Sequence, residues 1–331
     1  MPHTDLVFLI SQPRSGSTLL QRILGTSREV ATCSEPWLML YPASFWRSDI
    51  ETPFSLPLAQ AGVRSFLHSI GGKELRDKAI ASAYGQLYEK ATQSQHAAVF
   101  LDKTPRYYFV IDELLTMFPH ARFIFLLRNP LAVLNSMMEK HEGRIWENRR
   151  DLLEAPRCLV NGVAAAGSRS LTVRYEDLVV DPDTTVRRAC DFLGIAFDPG
   201  MLRYDTTQSW VMGDRKAVLS HTETVSSFKD KWKRNLQKPQ HWRVAKDYLG
   251  FLGPRLTASM GYDHAALSRS IDEHKPALPR RMFTVPLSVR LRPKAYPVKV
   301  MKTQWRSLRL RDGRVGDPKR AANPHREGAS A

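Results

Sequence analysis

An apolar run that breaks into a short loop crowded with hydroxyls, one arginine and one glycine constrains this chain more than any other feature. Residues 6–11 read LVFLIS, and the loop after them reads Gln12-Pro13-Arg14-Ser15-Gly16-Ser17-Thr18. A short apolar run bounded by turn signals is a buried strand. Residues 17–25 then carry helical spacing, with Gly25 as the stop. A helix N-terminus presents unpaired N–H groups and the positive end of its dipole, so it binds anions. Gly16 lets that backbone approach closely, Ser17 and Thr18 add hydroxyl donors, and Arg14 adds a planar charged fork. A plain strand–turn–helix is the bland alternative, but a simple polar turn does not need these residue types together. The phosphate loop of nucleotide hydrolases requires lysine after its second glycine. Here Ser17 stands at that position, which weighs against an ATPase or kinase.

Further apolar segments follow at 99–101, at 122–127 (RFIFLL) and at 171–175. Between them run stretches with helical spacing: 107–118, 130–140 behind the Asn129-Pro130 cap signature, a helical connection over 142–167, and 182–193 behind Asp181 and before Gly194. Alternating strands and helices predict an α/β fold, a P-loop-like parallel sheet flanked by helices. Residues 41–95 are prolines first and helical spacing later, which predicts a helical insertion between the first and second strands, on the acceptor side. Ligands of such sheets bind at the carboxyl ends of the strands, and each polar motif falls at one.

A second anion site is legible at Arg128-Asn129-Pro130, directly after the strand 122–127, with Ser136 on the next helix. Arginine supplies charge and serine an oriented donor, so the two suit one phosphate. Arg128 alone would read as a surface ion pair. The segment Arg174-Tyr175-Glu176-Asp177-Leu178 closes the strand 171–175; Tyr175 is either a ligand contact or a core residue, and the two acids suit local hydrogen bonds. Lys103 lies in Leu101-Asp102-Lys103-Thr104-Pro105 after a strand, and Glu35 lies in Ser34-Glu35-Pro36-Trp37.

The loop QPRSGSTLL resembles the 5′-phosphosulfate loop of sulfotransferases that use 3′-phosphoadenosine 5′-phosphosulfate (PAPS), and RNPLAVLNS is similar to that family's 3′-phosphate motif. YEDL and DKTP resemble further elements of the carbohydrate-type, tyrosyl-protein and bacterial branch. The resemblance covers residues 6–262 and implies PAPS as sulfuryl donor, with no metal required. It assigns Arg14, Ser15, Gly16, Ser17 and Thr18 to the 5′-phosphate and sulfuryl group, Arg128 and Ser136 to the 3′-phosphate, and Tyr175 to the cofactor. Lys103 is assigned to the sulfate or bridging oxygen, and Glu35 to the catalytic base. A carboxylate among cations stays ionised and able to take a proton. His96 and His68 are reserve bases, since small-molecule members of the family use histidine. Ser227 and Lys229, in SSFK, resemble a segment that closes over the cofactor.

Trp37, Tyr41, Phe45 and Trp46 cluster after the proposed base. Aromatic rings stack on sugar faces, so a carbohydrate or glycoconjugate acceptor is expected; a lipid, peptide or phenol is the alternative, and these rings could equally be core. The chain has 331 residues and a net charge of +16. Residues 275–331 hold fifteen Lys/Arg against Asp312, Asp317 and Glu327, a net +12, which leaves +4 for residues 1–274. Two regions are therefore expected: residues 1–270 as the enzyme and 271–331 as a basic, proline-containing tail. An anionic polysaccharide or membrane headgroups suit the tail, and nucleic acid does not, since no nucleic-acid module accompanies it. Cys33, Cys158 and Cys190 are too scattered for a disulfide framework or a zinc site. No stretch reaches the ~18 apolar residues that span a bilayer. The N-terminus lacks the charged start of a signal peptide. A cytoplasmic protein is expected, peripheral to a membrane at most through its tail. The rivals are a P-loop-type kinase or ATPase and a non-catalytic nucleotide-binding protein.

Overall fold

The computed structural model describes residues 5–47, 55–141, 145, 148–203 and 230–277. Its centre is β1, Asp5–Ser11, followed by α1, Ser17–Leu24, and by β2, Val30–Thr32. A 3₁₀ segment at Leu38–Phe45 leads to α2, Leu56–His68, and α3, Gly72–Ser94. The chain returns as β3, Val99–Lys103, makes a 3₁₀ turn at Pro105–Phe109, and forms α4, Ile111–Met117, and β4, Arg122–Leu127. Then come α5, Pro130–Lys140; α6, Arg149–Leu153; α7, Ala155–Ala166; β5, Ser170–Arg174; α8, Tyr175–Val180; and α9, Pro182–Leu193. After the 3₁₀ turn Pro199–Leu202, the described chain ends with α10, Lys231–Asn235, α11, Pro239–Ser259, and α12, His264–Glu273.

The five strands form one all-parallel sheet in the order β2-β3-β1-β4-β5. Strands buried on both faces read as continuous apolar runs, and Val7 to Ile10 of β1 and Phe123 to Leu126 of β4 are wholly inaccessible. One face is aromatic: Phe8 meets Tyr88, Tyr107, Phe118 and Phe123 at centroid distances of 5.5–6.1 Å. The other face packs Val7, Leu9, Ile124 and Leu126 with Leu20 and Ile23 of α1 and with Val186 and Leu193 of α9. Each such side chain, once buried, contributes about 1.5–3 kcal/mol. Helix starts follow the capping residues: Asn129 Oδ1 accepts from the Leu131 N–H, and Asp181 caps α9 through the Thr184 N–H. Among the described residues no helix is long and apolar enough to cross a membrane.

Three expectations change. Val30–Thr32 is an additional strand, paired in register with Val99–Leu101, so the helical insertion lies between the second and third of five strands. Residues 107–118 are not one helix, because Val110 leaves helical geometry at φ −134°, ψ 27° and separates the 3₁₀ turn from α4. Tyr175 opens α8 instead of ending β5.

Candidate active site

Parallel register brings the carboxyl ends of β1, β3 and β4 side by side: Leu9 pairs with Lys103, and Ser11 with Leu126. The loop 12–16, the residues after β2, Lys103 and Arg128 therefore share one edge of the sheet. Gly16 caps α1 at φ 93°, and no side chain caps that N-terminus. A Cβ at Gly16 would lie 2.5 Å from Cδ2 of Tyr175, so ring contact and positive φ both require glycine there. Arg14 also holds a left-handed φ of 76°. Strain of that kind clusters where a loop is shaped for a ligand.

Arg14 and Arg128 meet at this loop. Arg14 Nε donates to Ser136 Oγ at 3.1 Å, and Arg128 Nη1 donates to the Arg14 carbonyl at 2.9 Å. The Arg128 guanidinium stacks on the Tyr175 ring, 4.1 Å from its centroid. Burial draws the Arg128 pKa down, while Tyr175 and Glu176 draw it up. Tyr175 is thus a platform under Arg128 and against Gly16. Glu176 is structural, accepting from the Asn129 N–H at 3.0 Å and from the Tyr262 hydroxyl at 2.6 Å.

Across the edge, Lys103 and Glu35 form an ion pair of 2.6 Å in which the lysine is wholly buried and Glu35 is 13% exposed. Lys103 Nζ also reaches Thr18 Oγ1 at 3.3 Å. One ammonium therefore joins the carboxylate after β2 to the N-terminus of α1. A buried pair of this sort gains little net stability, whereas removing one partner strands a charge. His96 lies at the amino end of β3, away from this edge, and His68 ends α2; both are exposed. Neither shares the site with Lys103. Ser227 and Lys229 lie outside the described residues.

Asp102 and a set of aromatic and acidic partners had no role in the sequence reading. The Asp102 side chain is fully buried beneath the site and accepts from the hydroxyls of Tyr88 at 2.7 Å, Tyr107 at 2.8 Å and Thr104 at 3.0 Å. Burial raises its pKa to about 6, and the three hydroxyl bonds and Lys103 oppose that rise. Arg106 makes two bonds to Asp151, of 3.1 and 2.8 Å, and its guanidinium lies over the Trp37 ring. Asp102 was legible only as an acid inside a buried strand; its tyrosine partners sit 14 residues before and 5 residues after it.

A profile of the sulfotransferase family matches residues 6–199, which span β1 to the turn after α9. The chain belongs to the sulfotransferase family. It is 26% identical over 309 residues to the nodulation protein NoeE of Sinorhizobium fredii, covering 83% of this chain and 71% of that protein. It is 26% identical over 211 residues to protein-tyrosine sulfotransferase 1 of Danio rerio, where the match covers 60% of this chain and only 56% of the relative. Among solved structures, the sulfotransferase domain from the curacin biosynthetic pathway superposes with a TM-score of 0.50 at 21% identity, covering 69% of this chain and 90% of that one. That likeness speaks for the fold.

Proposed function

We propose that this sulfotransferase moves a sulfuryl group from PAPS to a hydroxyl or amine of a carbohydrate or glycoconjugate acceptor. The observation that carries the reading is Lys103, whose ammonium touches both Glu35 and Thr18 and so joins a base to the anion loop. The donor set fits a nucleotide phosphorylated at two positions. On this reading Arg14, Ser17 and Thr18 with the α1 N-terminus would take one anion, and Arg128 with Ser136, whose hydroxyl also accepts from Arg14 Nε, would take a second. The Ser15 hydroxyl is 1% exposed and has no partner among the described residues, so the loop buries a donor that a ligand oxygen would satisfy.

PAPS, when bound, supplies an activated sulfuryl group on a phosphate leaving group. The chain's residues supply the rest. Glu35 takes the proton of the acceptor hydroxyl, and Lys103 places positive charge at the bridging oxygen. Arg14 and the loop N–H groups hold the equatorial oxygens, as in phosphoryl transfer. Tyr175 and Arg128 orient the nucleotide. Ser227 and Lys229 stay in the proposal as cofactor contacts on sequence grounds. Tyr41 is 88% exposed and Phe45 42% on the 3₁₀ segment after Glu35, which supports a stacking surface for sugars. The basic tail, residues 271–331, would bind an anionic polysaccharide or membrane headgroups, in a cytoplasmic protein peripheral to the membrane.

The test is transfer of label from ³⁵S-PAPS to a panel of oligosaccharides, glycolipids, tyrosine peptides and phenols, without metal. Label on a sugar supports the proposal in full. Label on a tyrosine peptide alone overturns the acceptor class. Transfer from ATP with Mg²⁺, and none from PAPS, overturns the donor and favours the kinase reading.

A further inference from the structure

Three non-glycine residues among those described adopt a left-handed φ: Arg14 at 76°, Trp37 at 55° and His96 at 53°. Arg14 shapes the anion loop and His96 is an exposed turn residue. Trp37 stands two residues after the Glu35 carboxylate. A bulky side chain holds such a conformation only where its surroundings over-determine it, and Trp37 is held from three directions. Its indole Nε1 donates to Glu35 Oε2 at 3.2 Å. The Arg106 guanidinium lies over its ring, with Cζ 5.5 Å from the centroid. That guanidinium is anchored by Asp151, which is 2% exposed, and by Asn148 Oδ1 at 3.1 Å. Two residues on, the Met39 N–H donates to the Tyr107 hydroxyl at 3.0 Å, and that hydroxyl donates to Asp102.

We propose that Trp37 is the positioning residue of the Glu35 carboxylate: its indole N–H, clamped by Arg106 on Asp151, fixes which face of the carboxylate meets the acceptor. The inference rests on the reading of Glu35 as the base. A carboxylate offers about four lone-pair sites on two oxygens. Lys103 occupies one on Oε1, and Trp37 one on Oε2. Both partners only donate, so neither can take the proton that leaves an acceptor hydroxyl. That proton lands on a lone pair facing away from both, and the acceptor is steered to that side. Without the indole, the carboxylate turns about its contact with Lys103 and the geometry for proton transfer is lost. The Met39–Tyr107–Asp102 link ties the same turn to β3, so base and lysine share one frame. Trp37 therefore works through Glu35, and the left-handed turn exists to bring an i to i−2 contact within reach.

The test uses ¹⁵N-labelled full-length protein and the indole N–H resonance of Trp37, assigned by its disappearance in Trp37→Phe. In Glu35→Gln that resonance is expected to move upfield as it loses a charged acceptor, while the other indoles hold their places. In Arg106→Leu it is expected to broaden. Trp37→Phe is expected to lower the turnover of labelled PAPS roughly tenfold, with the affinity for 3′,5′-adenosine bisphosphate unchanged. A Trp37 indole indifferent to Glu35→Gln overturns the proposal, as does a Trp37→Phe variant of full turnover. Should Trp37→Phe not fold, through-bond assignment gives the resonance and the Glu35→Gln arm decides. The reading of Glu35 as base fails separately. An intact indole response with undiminished turnover in Glu35→Gln removes the base and, with it, the positioning role, leaving the Trp37–Glu35 contact structural. An absent indole response with lost turnover removes the positioner and leaves the base.

Discussion

The carboxyl-end edge of the sheet, which holds the proposed donor site, and the helical insertion of this molecule are built differently. At the edge, Lys103 closes β3 and Arg14, Gly16 and Arg128 follow β1 and β4, strands buried on both faces, so the sheet itself sets their positions. The insertion has almost no core of its own: α2 buries Leu56 alone, and α3 buries Tyr88 and Thr92. Of the nine large apolar residues that are exposed among those described, seven fall between Tyr41 and Leu87. What fixes the insertion is the Tyr88 ring packed on Phe8 and Phe100 together with a small number of polar bonds, such as Tyr88 to Asp102, Trp46 Nε1 to Asp77, and Gln60 to the Ser44 and Arg47 carbonyls. A proposed donor site on that edge can stay fixed while the insertion, the proposed acceptor side, varies.

Breaking the chemistry without breaking the edge gives the largest effect. Lys103→Ala is expected to lower turnover by at least ~10²-fold while affinity for 3′,5′-adenosine bisphosphate stays within a few-fold. Kinetics and calorimetry on the same preparation check it, and equal loss in both would make the lysine a binding group that belongs wholly to the edge.

The acid that joins the two regions gives the next effect. Burial raises the Asp102 carboxyl from an ordinary value of 3.8 to about 6 in the folded chain. Its folded value is raised, so between those two the native state binds more protons than the unfolded chain, and stability falls as pH rises through the window. The shift corresponds to a loss of roughly 3 kcal/mol from about pH 4 to above pH 6. Urea unfolding across that range should show the decline in the wild type and a flatter profile in Asp102→Asn. Identical profiles would mean that folding does not raise the Asp102 carboxyl.

The smallest effect isolates the insertion's tether. Tyr88→Phe removes one hydroxyl bond to Asp102 and leaves the ring packed on Phe8 and Phe100. A loss of about 1 kcal/mol is expected. Amide exchange should quicken in α2 and α3 first while β1 and β4 keep their protection. Uniform quickening would deny that the two regions are separately held.

Much of the sheet's carboxyl-end edge was legible in the sequence, because its signals are local. The apolar run 6–11, the loop 12–18 and the step from β4 into Arg128 and the Asn129 cap are each contiguous. The parallel α/β fold followed from their alternation. The strand Val30–Thr32 escaped because three residues carry no periodicity; it exists through its pairing with β3. The break at Val110 escaped because apolar spacing runs through it unchanged. The tether residues escaped for a different reason: Asp151 and Arg106 lie 45 residues apart, and Tyr88 and Asp102 14 apart, so only the folded chain brings them together. Arg14 and Ser136 were placed on separate phosphates by resemblance. The fold sets them 3.1 Å apart, a convergence over 122 residues.

The most direct test of the account is calorimetric titration of the full chain with 3′,5′-adenosine bisphosphate beside 5′-AMP and ATP, without metal, in the wild type and in Arg128→Ala. Loss of a charge-assisted bond costs about 1.5–3 kcal/mol, so the account predicts that the bisphosphate binds best and weakens by roughly 10- to 150-fold in the variant, while 5′-AMP is little affected. Equal or tighter binding of ATP, or an Arg128→Ala variant that holds the bisphosphate as well as the wild type, would contradict it.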